Sequence, residues 1–197
     1  MKLQPAEGGV EILFNPEEAG MLDQLVRQLI MLMESHSSTD LDPDPLFASL
    51  EVGGSDTIPD DPALARLFPD AFEDSSEASA FRRVTEQGLL NRKLQDAMRV
   101  VDDLDWSMPN VTEATETAVN ITQESFPAWA RTITAVRLAI AARIGLETED
   151  DHERLIDEEH TRGTVLVFDW LASLLDAILA LGAASGAANG AEGASGH

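Results

Sequence analysis

The chain has no cysteine, no tyrosine and only three tryptophans in 197 residues. Without cysteine there is no disulfide, no thiolate metal site, no cysteine nucleophile and no thiol-based redox sensing. Aromatic residues make up 5% of the chain, so the core is predicted to be aliphatic. Cations are also scarce: 13 Lys and Arg stand against 36 Asp and Glu, for a formal charge of −23. So acidic a surface repels polyphosphate and anionic lipid, and it lacks the many cations that general nucleic-acid binding uses to neutralise phosphates. The glycine patterns of nucleotide binding, the nucleophile elbow and the zinc-protease helix motif are all missing. Only His36, His152, His160 and His197 supply imidazole, and none adjoins a nucleophile in the sequence. The expectation is a protein without catalytic residues, cofactor or metal.

A strongly apolar stretch, Val165 to Leu181, includes Asp169 and Asp176. Two carboxylates in hydrocarbon are costly, which favours a buried core helix over a membrane span. The opening residues MKLQPAEGGVEILF lack the basic segment and apolar run of a secretion signal. A cytoplasmic location is expected.

What is present is an ordinary apolar fraction of 44%, enough for one domain with a real core. Val10 to Phe14 reads as a short strand, preceded by a flexible segment over residues 1–9. Asn15, Pro16 and Glu18 form a helix-start signature, and the helix is predicted to run to about Glu34. From Glu34 to Glu77, twelve acidic residues face Arg66 alone, and Asp60 or Asp61 caps a short helix over Pro62–Phe68. A central helix follows from Ser75 or Ser76 to Asp103, with Gly88 raising the alternative of two helices and a hinge. Its apolar face is read as Val84, Leu90, Leu94, Ala97, Met98 and Val101. Leu104 to Asn120 reads as irregular. A helix capped by Thr122 should end at Gly145, and Glu147 to Glu159 should be an acidic loop. The last helix, Thr164 to Leu181, is apolar nearly all round and is expected at the centre of the bundle, closed by Gly182. The predicted fold is mainly α: an irregular single-domain helical bundle over residues 10–182, with a short N-terminal β-strand and a disordered low-complexity tail at 183–197.

Two patterns imitate metal sites. Asp40, Asp42, Asp44 and Glu51 fall at calcium-loop positions, but Pro45 occupies the sixth position, where the sharp turn needs positive φ. Glu149-x-x-His152 and Asp157-x-x-His160 have di-iron spacing, but both lie in one hydrophilic stretch outside any apolar stripe.

The anomaly in charge is Ala80 to Asp103. It holds Arg82, Arg83, Arg92, Lys93 and Arg99, five of the thirteen basic residues. Arg82 with Glu86 and Arg92 with Asp96 are spaced as helical ion pairs, each worth a few tenths of a kcal/mol. Against that internal neutralisation stands a docking face made of Arg82, Arg83, Arg92 and Lys93.

The segments DPALARLFPDAF (Asp61 to Phe72) and FRRVTE (Phe81 to Glu86), with Lys93-Leu94, carry a family likeness. So do Trp129, Val136-Arg137-Leu138 and Asp169-Trp170-Leu171. Over about residues 10 to 181 the chain resembles the actinobacterial domain-of-unknown-function family numbered two thousand and seventeen. That family is also labelled an actinobacterial oxidative stress regulator family. The resemblance implies a cytoplasmic, non-enzymatic regulator of transcription in the oxidative stress response, acting through a protein partner such as a sigma factor bound to RNA polymerase. The absence of cysteine separates this member from thiol-based sensing. Direct DNA binding through the same helix, or an adaptor or structural role, are the competing expectations.

Overall fold

The computed structural model describes residues 1–6, 9–39, 55, 57–107 and 116–193. Its elements, in chain order, are β1 (Lys2–Ala6), β2 (Gly9–Phe14), α1 (Pro16–Thr39), α2 (Pro62–Leu67), α3 (Ser75–Ser107), β3 (Thr117–Thr122), α4 (Phe126–Ile144), α5 (Glu149–Asp157) and α6 (Glu159–Gly193). The mainly α class is as expected, and so is the strand beginning at Val10. That strand, however, has two antiparallel neighbours in the order β1-β2-β3.

The segment 1–9, expected to be flexible, supplies β1, which pairs with β2 from Lys2↔Leu13 to Ala6↔Gly9. Pro5 hides this strand in the sequence, and an edge strand tolerates proline where an inner one does not. The irregular reading of 104–120 also fails at both ends: α3 runs on to Ser107, and β3 begins at Thr117. Thr117, Val119 and Ile121 alternate inward from β3, and Val10, Ile12 and Phe14 do the same from β2. Gly9 packs closely on β3, and a Cβ there would clash with the Ile121 carbonyl.

Several helix ends follow their local chemistry. Asn15 Oδ1 accepts from the Glu18 amide at 2.8 Å, and Glu18 Oε2 accepts from the Asn15 amide at 2.9 Å, a reciprocal cap. Asp61 accepts from the Ala63 and Leu64 amides at the start of α2. Gly145 ends α4 in the left-handed region at φ 68°. Other ends differ from the sequence expectation. Asp74 caps α3 in place of Ser75 or Ser76. Thr122 closes β3 rather than opening α4. The acidic stretch expected as a loop forms α5, because Thr148 and Asp151 cap each other across the first turn.

α3 is one helix through Gly88. The cost of about 1 kcal/mol for a helical glycine is outweighed by packing on both sides of it, where Glu86 and Leu90 are buried. Its buried stripe is rotated from the expected one: Val84 and Met98 are exposed, while Ala78, Arg82, Glu86, Leu90, Ala97, Val100, Val101 and Leu104 face inward.

The main core joins β2 and β3 to α1, α3, α4 and α6 around Phe14, Leu22, Leu104, Trp129, Ile133 and Leu171. A smaller cluster seats α5 against α4 and α6 through Leu146, Leu155 and Val165. α6, expected at the centre, lies on a flank against α4, α5 and the sheet. Leu166 is 55% exposed and Leu179 44%. Among the described residues α6 is the one helix long and apolar enough, by length and composition, to cross a membrane. It continues past Gly182. Its backbone is helical to Gly193, while its side chains beyond residue 180 and residues 194–197, the end of the predicted tail, lie outside the described residues. The calcium-like loop at 40–51 also lies outside them.

Candidate functional site

The four cations singled out in the sequence do not share one face. Arg82 is 5% exposed. Its Nη1 donates to the Phe68 carbonyl at 3.2 Å, and its Nη2 donates to the Asp70 carboxylate. Glu86, one turn on, lies with Oε1 3.8 Å from Arg82 Nη1 and 3.0 Å from His36 Nε2. Its other oxygen accepts from the Ser55 amide at 2.9 Å. The His36 ring also packs against Phe68 in a tilted arrangement, with centroids 5.7 Å apart. Arg82 therefore belongs to a buried clamp that ties the end of α1 and the turn after α2 to α3. It is buried, not on an exposed face with Arg83 and Arg92, which corrects its assignment to the docking face.

Arg83 is exposed on α3. Arg92 and Lys93 lie further along, where the arrangement differs from the sequence expectation. Asp96, expected to pair with Arg92, instead accepts two bonds from Arg131 on α4, at 2.6 and 2.8 Å. Arg92 has no ion pair or hydrogen bond among the described residues and stays exposed. The Lys93 ammonium lies 5.9 Å above the Phe68 ring. Burial pushes its pKa below the ordinary lysine value, with Asp96 opposing that shift and Arg131 adding to it.

Arg92 and Lys93 stand on one wall of a groove between α3, α4 and α6, with a volume of about 400 Å³. Leu89, Leu138, Leu175 and Leu179 form its apolar surface, and Arg131 and Asp96 complete the polar side. Chemically, this is a place for an apolar group carrying negative charge. Depletion of cations elsewhere makes it distinctive: most other basic side chains are committed to carboxylates, as in Arg27 with Asp23 and Asp105, Arg99 with Asp103, and Arg143 with Asp61.

The family model for the domain of unknown function DUF2017 matches residues 1–181. The chain belongs to the DUF2017 family. No curated protein and no solved structure matches it. The match takes in β1, which lies outside the stretch on which the sequence resemblance rests.

Two segments that carry that resemblance meet at the clamp of this DUF2017 chain. DPALARLFPDAF supplies Phe68 and Asp70, and FRRVTE supplies Arg82 and Glu86. The geometry gives them a shared structural task. His152, read in the sequence as part of a metal-like pattern, instead lies 2.9 Å from Asp169 of α6. Among the described residues no group of three or more His, Asp or Glu side chains could hold a metal ion.

Spacing along the chain does not reveal Arg131, because its importance depends on reaching Asp96, 35 residues away. His36 is hidden for the same reason, with its partner on another helix. Arg66 does leave a trace in the sequence, as the single cation in a long acidic stretch.

Proposed function

We propose that this DUF2017 domain is a cytoplasmic, non-enzymatic regulator that works by binding a protein partner. The partner is an element of the transcription machinery, a sigma factor or RNA polymerase, and the setting is the oxidative stress response. The family resemblance supports the transcriptional part of this reading. The groove supports the binding mode.

The observation that carries the binding mode is the groove between α3, α4 and α6. Its leucines can take the apolar stripe of an amphipathic helix, a common mode of recognition. Arg92, without a carboxylate partner among the described residues, and Lys93 then meet acidic residues at the edge of that helix. Opposite charges at an interface edge mainly set specificity and association rate. In a chain of net charge −23, the rest of the surface repels acidic segments and directs them to this groove. The same charge argues against direct nucleic-acid contact. The lack of cysteine leaves partner binding, not thiol oxidation, as the regulated step.

The test is co-purification of tagged full-length protein from stressed and unstressed cells. Arg92→Glu with Lys93→Glu should abolish recovery of sigma factor or polymerase subunits while circular dichroism shows an unchanged fold. Full recovery by the folded double variant would remove the groove from the account. Recovery of no transcription component by the wild type would remove the transcriptional reading.

A further inference from the structure

Four basic side chains make no ion pair or hydrogen bond among the described residues: Arg66, Arg92, Lys93 and Arg137. Arg92 and Lys93 line the groove described above. The other two line a second pocket of about 350 Å³, where Arg66 of α2 and Arg137 of α4 meet the start of α5 and Phe168 of α6. This pocket does not depend on the protein-binding reading.

Arg137 is the more unusual of the two. Its Nε is shielded from solvent and has no hydrogen-bond partner. Its guanidinium carbon lies 4.4 Å from the centre of the Phe168 ring, a cation–π contact. A shielded N–H of a charged group left unpaired costs more than a neutral one. Glu147 and Glu149 line the same pocket, and neither pairs with Arg137 or Arg66. In a chain with 36 acidic residues, two guanidinium groups held apart from nearby carboxylates are set up for an outside anion. A rigid guanidinium fork matches a carboxylate in a two-point contact. Leu146 and Phe168 give the pocket an apolar wall, and the volume falls within the range of small-molecule sites. Glu147 and Glu149 oppose a second negative charge, which selects a monoanion over a phosphate dianion.

We infer that this pocket binds a small organic monocarboxylate with an apolar body, its carboxylate held by Arg137 and Arg66 and its body against Phe168 and Leu146. Thr134 and Leu138 line both this pocket and the groove, so the two sites share a wall.

The experiment is an amide NMR titration of the full-length protein with three probes: phenylacetate, phenyl phosphate and benzyl alcohol. Phenylacetate should give saturable shifts at Arg66, Arg137, Leu146 and Phe168, and the other two probes should bind more weakly. Arg137→Gln and Arg66→Gln should each weaken phenylacetate about tenfold, the loss of one charge-assisted contact. Arg92→Gln should leave the titration unchanged. Arg66 is exposed, so its variant keeps the test decisive if Arg137→Gln fails to fold. The inference falls if phenylacetate gives no saturable shift, if its affinity survives Arg66→Gln, or if benzyl alcohol or phenyl phosphate binds as well.

Discussion

Asp96 on α3 takes both the Nε and Nη2 hydrogen bonds of Arg131 on α4, at 2.6 and 2.8 Å. That choice of partner leaves Arg92, one turn earlier on α3, with an unneutralised charge at the edge of an apolar groove. Asp96→Asn should weaken the α3–α4 contact by roughly 1 kcal/mol, a modest figure because Arg131 is more than half exposed. Urea unfolding of wild type and variant measures it. Arg92→Ala, which breaks no ion pair or hydrogen bond among the described residues, should stay within about 0.5 kcal/mol of wild type.

The clamp around Glu86 should respond more strongly. Glu86→Ala leaves the buried His36 ring and the Ser55 amide without their acceptor and removes one of the two carboxylates beside Arg82, Asp70 remaining. A buried polar group left without its partner costs about 1–3 kcal/mol. A fall in the urea midpoint is expected, with no matching fall for Arg92→Ala. Equal small effects for both would show that the clamp does not hold α1 to α3.

Glycine positions offer a test of opposite sign. Gly9→Ala drives a methyl group into the Ile121 carbonyl oxygen and should destabilise by about 1–3 kcal/mol through forced separation of β2 and β3. Gly20 lies inside α1, and a methyl group added there would meet nothing within 4 Å. Gly20→Ala should therefore stabilise by roughly 0.5–1 kcal/mol. Thermal melts of the two variants should move in opposite directions.

Asp151 supplies a pH prediction. Its hydrogen bonds with Arg154 and Thr148, and with the Glu147 and Thr148 amides, hold its pKa down from 3.8 to about 2. A carboxyl group lowered on folding stabilises the folded state above its unfolded pKa, and that contribution is lost as pH falls through the folded value. The capped start of α5 should thus keep its contribution near pH 4 and lose it by about pH 2. Carboxyl NMR titration of Asp151 should give a midpoint of about 2, raised toward 3.8 in Thr148→Ala with Arg154→Ala, where only the backbone amide donors remain.

The helical class, the reciprocal cap of α1, the aspartate cap of α2, the glycine end of α4 and the aliphatic core are all legible in the order of residues. Each depends on residues within a few positions of one another, where propensity and capping chemistry act. The T-x-x-D cap of α5 and the alternation of β3 are written there too, though an acidic surrounding and an irregular one conceal them. Other features exist only once the chain is folded. Pairing turns residues 2–6 into a strand. Packing rotates the inward stripe of α3 and carries that helix through Gly88. Above all, the choice among many acidic partners is made in space: Asp70 and Glu86 hold Arg82 inside, Asp96 goes to Arg131, and Arg66, Arg92, Lys93 and Arg137 are left to line two neighbouring cavities. With so many acids along the chain, spacing cannot say which cation each one neutralises, because that depends on distances between helices that are far apart in sequence.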